Sequence, residues 1–360
     1  MKTIFNIFFT YLLCFFIVSC GNNEESDNQN IQRVQNPDSI QNNIVLFIIP
    51  SYDMQIHSYL LKSNNSQGIR KFNRVSFYSP SSYFDSYSDR DANLTALMTG
   101  NTTLNGYLGI DKDSTLLQSW LKEYRNSHQI GLISNESLGS GFIRILFNGG
   151  INSSKFEAEN TASNLIKFNP DFIWAPGKRY FDRRSDKKNL FEEMSVRKYD
   201  LNFNVNNLNI SDSSNYAGIF NSYSIPDSVD IILNGLKVWN SYRAKKEKPF
   251  VLIVLLNDFN NSIDINGMEQ KKIINQYFDR LIELNRKVEE FTFYSILNPF
   301  NTYKHELTFI ENDSIIVRSS NLKFNNSHLP IWSFGRGSET FNGFFKNTDF
   351  YSRLSSIQKK

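Results

Sequence analysis

Cysteine is almost missing from this sequence. The 360 residues hold two, Cys14 and Cys20, both within the first twenty positions. Past residue 20 there is no thiol for an internal disulfide or a cysteine-ligated zinc. Histidine is also scarce, with four: His57, His128, His305 and His328. Gly 17 and Pro 9 are too few for a collagenous or low-complexity chain. No charge of one sign dominates. With 39 basic and 36 acidic residues the net charge is +3, which excludes a broadly basic nucleic-acid-binding surface. A mean hydropathy of −0.41 excludes a polytopic membrane protein. What is present is a 40% hydrophobic, 14% aromatic chain, too apolar for disorder and long enough for one large α/β domain or two ordinary ones.

The first twenty residues carry a separate signal. Lys2 is the only charge before Cys20, and an apolar run follows it from Ile4 to Val18. This charged start and apolar stretch is that of a secretory signal, and it falls short of a comfortable membrane span. Ile17-Val18-Ser19-Cys20 resembles the bacterial lipobox, in which a small residue precedes a thiol that carries diacylglycerol. Residues 1–19 are therefore expected to be a signal peptide, Cys20 the lipidation site, and the membrane a partner reached through it. Residues 20–42, rich in Asn, Gln, Ser, Asp and Glu, are expected to be a disordered tether. Glu24-Glu25-Ser26-Asp27 is similar to surface-export signals of some bacterial lipoproteins. The expected location is the cell envelope, at the outer membrane, facing the periplasm or the surface.

The body, residues 43–355, alternates strands and helices. Asn43–Ile49 and Pro249–Leu256 are continuous apolar runs, as strands buried on both faces require. Gln129–Ile133, Asp171–Trp174, Phe291–Leu297 and Leu329–Phe334 read as further strands. Helices are expected at Asp91–Met98, Ser114–Asn126 (with Ser114 as cap), Phe156–Phe168, Ser228–Arg243 and Met268–Glu289. Such alternation predicts a mostly parallel sheet with helices on both faces. The polar stretch 182–214 reads as a peripheral insertion, and the basic cluster Arg243, Lys245, Lys246 and Lys248 as solvating a helix end.

Several segments, in order, resemble the alkaline phosphatases over roughly residues 44–352. Thr95–Gly100 is similar to the helix after that family's phosphorylated serine, and Asn105–Asp111 to the loop beyond it. Ser114–Ser134, Asp171–Phe181, Ala217–Phe220, Pro249–Leu256 and Ile331–Asp349 match later motifs in sequence order. The resemblance implies a three-layer α/β/α sandwich. It also implies an active site in which a serine attacks phosphorus, two zinc ions and a magnesium assist, and an arginine clamps the phosphoryl oxygens.

Carried onto this chain, the implied positions lack that chemistry. The metal-bridging aspartate falls at Ser51, and the nucleophile at Arg90, between Asp89 and Asp91. The magnesium-site pair falls at Ser140 and Phe142, and no arginine stands near 153–155 for the clamp. The remaining ligands fall at Leu255, Asn260, Asp264, Pro299, Phe300 and Phe324. Asp89 alone is retained, and in the family that residue orients the clamp. Asp53, Asp264, His305 and His328 are the residues from which a substitute metal site could be drawn, and four scattered histidines are the expectation. No metal or other cofactor is therefore expected, although the family would use zinc and magnesium. Three functions stay open: an inactive binding or scaffolding protein with a protein partner, an active phosphomonoesterase with a rearranged site, and a small-anion-binding lipoprotein using the vestigial cleft.

Overall fold

Strand β1 (Asn43–Ile48) is buried along its whole length, as its apolar run requires. The computed structural model that contains it describes residues 42–50, 52–62, 67–85, 88–147, 158–211, 214–221, 230–244, 246–256, 276–280, 283, 290–300, 303–309, 315–321 and 328–358. The further strands are β2 (Arg74–Ser79), β3 (Gln129–Ser134), β4 (Phe172–Pro176), β5 (Tyr199–Asn202), β6 (Asn215–Phe220), β7 (Phe250–Leu255), β8 (Thr292–Leu297), β9 (Tyr303–Phe309), β10 (Ile315–Asn321), β11 (Leu329–Gly335) and β12 (Phe344–Lys346). Ten of them form one sheet in the order β12-β2-β11-β8-β1-β7-β3-β4-β6-β5, and β9 and β10 pair separately. Every pairing in the large sheet is parallel except those of β11 with β2 and β8. The carboxyl ends of nine strands therefore share one end of the sheet. β1 lies between β8 and β7, with later strands on both sides, and such a switch point opens a crevice beyond the strand ends.

The helices are α1 (Met54–Lys62), α2 (Gln67–Lys71), α3 (Arg90–Thr99), α4 (Leu121–Tyr124), α5 (Gly141–Leu146), α6 (Ala158–Phe168), α7 (Arg179–Asp182), α8 (Leu190–Val196), α9 (Ile231–Arg243) and α10 (Asp349–Gln358). They cover two faces, as period-two alternation in the strands demands. Ile44, Leu46 and Ile48 point into a core shared with α3, α5, α6 and α10. Val45 and Phe47 point into a second core shared with α1, α2 and α9. Every residue of both cores lies between Ile44 and Ile357. No described helix is long and apolar enough to cross a membrane.

Three expectations need correction or extension. The helix expected from Ser114 begins only at Leu121. The Asp111 side chain accepts hydrogen bonds from Asp113 N (2.9 Å) and Thr115 N (2.8 Å), a local turn that competes with helix. Ser114 then takes φ 64, and Leu116 is left exposed in a bridge to Ile110. Segment 182–214 is more than an appendage, because β5 is the edge strand of the main sheet. Of the long helix expected at 268–289, residues 276–280 are helical, with Tyr277 and Phe278 buried, and most of the remainder lies outside the described residues.

Candidate functional site

The crevice end of the sheet gathers the start of α3, the turn after β8 and the turns after β1, β3 and β7. Asp89 caps α3, its carboxylate accepting from Ala92 N at 2.8 Å. The same carboxylate accepts from Gly106 N, and Asp89 N donates to Asn105 Oδ1 at 2.8 Å. Asp89 therefore ties a helix to a loop, which accounts for its presence without any catalytic task.

Arg90 is the first residue of the helix. Its Nε donates to Asp91 Oδ1 at 3.0 Å, and its guanidinium carbon lies 5.9 Å from the centroid of the Phe300 ring. The side chain is 54% exposed, so solvent screens the pair. Arg90 and Phe300, far apart in sequence, are thus brought together where the resemblance expects a nucleophile and a zinc ligand.

Beneath them lies a buried polar network that the sequence reading missed. Asn93, one turn below Arg90, donates from Nδ2 to Pro299 O (2.6 Å) and to the Tyr78 hydroxyl (3.1 Å). Its Oδ1 accepts from Asn347 Nδ2 (3.0 Å), which also reaches Ser81 O (2.9 Å). Tyr78 in turn donates to Asn298 O at 2.8 Å. Asn93 and Asn347 are 2% and 0% exposed. The network joins α3, β2, β8 and the turn after β12, and it fixes the floor of the crevice. Local polarity alone marks Asn93 in the sequence, whereas Asn347 falls within the Ile331–Asp349 segment matched above.

The other described positions lie at the same end of the sheet but serve as caps and core. Ser140 caps α5 by accepting from Ile143 N, and Phe142 packs into the first core. Leu255 is fully buried there too. Pro299 is buried and Phe300 half-buried against the same core. Ser51, Asn260, Asp264 and Phe324 lie outside the described residues. Asp53 caps α1, its Oδ1 accepting from Ile56 N at 2.9 Å.

His57 and His128 stand at opposite ends of the sheet. His57 bonds through Nδ1 to the Tyr52 hydroxyl at 3.0 Å and stacks on Trp332, and burial pulls its pKa down to about 4. His128 sits at the opposite end of the sheet, its Nε2 3.0 Å from Asn42 O, and burial lowers it likewise to about 4. Both are neutral at pH 7. His305 is in β9, opposite Ser319. His328 is exposed beside Phe344. Among the described residues no group of three or more His, Cys, Asp or Glu is placed to hold a metal.

No family model matches the chain, and no curated protein matches it by sequence. Solved structures do. The alkaline phosphatase of the Antarctic bacterium TAB5 superposes with a TM-score of 0.73 at 16% identity, covering 89% of this chain and 98% of that one. The alkaline phosphatase of Thermus thermophilus gives 0.68 at 13% identity, covering 92% and 95%. A cold-active alkaline phosphatase from a psychrophilic Shewanella gives 0.66 at 15%, covering 88% and 100%. The chain has the fold these proteins share, a large mostly parallel sheet between two helical layers. A fold at such identities carries no activity with it.

Proposed function

We propose that this chain, built on the fold of the alkaline phosphatases, is a lipid-anchored protein of a bacterial envelope that binds or scaffolds and does not hydrolyse phosphoesters. The observation that carries this is Arg90 at the head of α3, paired with Asp91 and lying over Phe300. A guanidinium cannot be the oxygen nucleophile of a phosphoryl transfer.

The described residues at the implied positions do not fit the family's metals. Zinc needs imidazole, thiolate or carboxylate, and magnesium needs oxygen. Leu255 and Phe142 offer hydrocarbon inside the core, and Phe300 offers a ring face. Pro299 offers one carbonyl, already accepting from Asn93. No catalytic step through a metal is derived for this chain. Anion binding at Arg90 is the weaker reading, because Asp91 already holds the guanidinium at 3.0 Å. The envelope anchor is supported by the Ile17–Cys20 motif and the polar stretch after it.

Turnover of p-nitrophenyl phosphate with added zinc and magnesium tests the inactive reading. Wild type and Arg90→Ser are both expected at the level of a mock purification. A serine installed there keeps an unactivated hydroxyl, since among the described residues no metal-binding group is placed beside it to lower its pKa. Clear turnover by wild type overturns the proposal. Turnover only in Arg90→Ser shows that the metal ligands lie elsewhere than placed above.

A further inference from the structure

Among the described residues, charge divides unevenly between the two ends of the sheet. The crevice end is near balance, carrying Asp53, Asp85, Asp89, Asp91, Glu136, Glu159, Asp182, Asp186, Asp230 and Asp349 against Arg90, Lys178, Arg179, Arg183, Arg184, Lys187, Lys188 and Lys346. The opposite end, where the parallel strands begin and the helices between them finish, is basic. Lys71 and Arg74 lead into β2, Lys167 ends α6, Lys198 precedes β5, and Lys246 and Lys248 precede β7. Arg74, Lys167, Lys198 and Lys248 are exposed. The acids at this end are fewer or already engaged. Asp171 pairs with Arg125 at 3.4 Å, Glu193 with Arg197 at 2.8 Å, and Glu123 accepts from the hydroxyls of Tyr351 and Ser355. Glu247 and Glu290 stay exposed. Lysines at helix ends also suit the helix dipole, which accounts for Lys167 and Lys198 but not for Arg74 or Lys248, which stand three and five residues past the end of α2 and α9.

The chain enters the domain at this same end. Asn42 donates from Nδ2 to Ile357 O at 2.6 Å, and its carbonyl lies 3.0 Å from His128 Nε2. The first described residue, Asn42, therefore stands at the basic end, and the crevice lies about 20 Å away along β1. We infer that the amino end of the sheet is a docking face for an anionic lipid surface. Lipid headgroups supply the negative charge that a net-basic, strand-end face lacks, and attraction of this kind acts within a Debye length. Docked so, the crevice faces away from the bilayer, open to partners. The placement rests on the reading of the chain as membrane-anchored, whereas the attraction to anionic lipid does not.

The test uses the chain from residue 20 onward carrying Cys20→Ala, mixed with phosphatidylcholine vesicles with or without phosphatidylglycerol. Cosedimentation is expected only with phosphatidylglycerol, and it should vanish at about 0.5 M salt. Combining Arg74→Gln, Lys198→Gln and Lys248→Gln should weaken binding on the order of a hundredfold. Lys346→Gln, at the crevice end, should change nothing, and all variants should melt with the parent. Equal binding by the triple variant, equal loss from Lys346→Gln, or RNA held as tightly as phosphatidylglycerol would each overturn the docking face. The anchor is tested apart from this. In cells, Cys20→Ala should leave the membrane fraction after a carbonate wash, and its retention would sink the anchor while the vesicle result stood.

Discussion

Leu255→Glu, which restores the carboxylate that the alkaline phosphatase resemblance calls for, is expected to destabilise the fold by about 4 kcal/mol and to recover no activity. Leu255 ends β7 fully buried in the first core, level with Ile48 on β1 and Ser134 on β3. A carboxyl group there loses hydration and finds hydrocarbon, so its pKa rises above the ordinary value near 4.3. The folded state then holds its proton longer than the unfolded chain. The penalty is accordingly smallest near pH 4 and grows as pH rises through the folded-state pKa. Thermal melts at pH 4 and pH 8, with Leu255→Gln as the uncharged control, should show that divergence. The melting temperature at neutral pH should fall by roughly 10 °C. A stable Leu255→Glu that gains affinity for zinc or magnesium would mean that the side chain reaches the crevice after all.

Asn93→Leu is expected to cost about 3–5 kcal/mol, although the new side chain suits a core by size and polarity. It leaves Pro299 O without its 2.6 Å donor, and removes partners from the Tyr78 hydroxyl and Asn347 Nδ2. Buried groups stripped of partners lose their full hydration energy. The loss should be non-additive with Asn347→Ala, because the second change removes one of the groups that the first one orphans. Urea unfolding of the two single variants and the double variant measures this. Additive losses would show that the asparagines act independently and that the crevice floor is not one network.

These two positions mark what the sequence discloses and what it hides. β1, β3, β7 and β8 are legible because each is buried on both faces and reads as an apolar run. β2 is hidden by its own mixed composition: Arg74, Ser76 and Ser79 dilute the signal of Val75, Phe77 and Tyr78 in a strand that lies one in from the sheet edge. The false start at Ser114 comes from Asp111, whose side chain captures two backbone donors that a helix would have used. At the site, residue identity alone shows that Leu255, Pro299 and Phe300 offer no metal-binding side chain where the resemblance expects one. That Arg90 meets Phe300 required the fold, since the two lie on elements joined only by tertiary packing. The Asn93 network was invisible for a different reason. An asparagine in a helix reads as surface until its three partners are seen.

The zinc content of the purified, chelator-washed chain after re-equilibration with zinc tests the central claim most directly. Side chains that offer hydrocarbon, a ring face or an already occupied carbonyl give zinc no site, and an ion that does not bind the native state cannot stabilise it. Substoichiometric zinc and an unchanged melting temperature are therefore expected. Two tightly held zinc ions per chain, with a melting temperature that rises on their addition, would contradict the account.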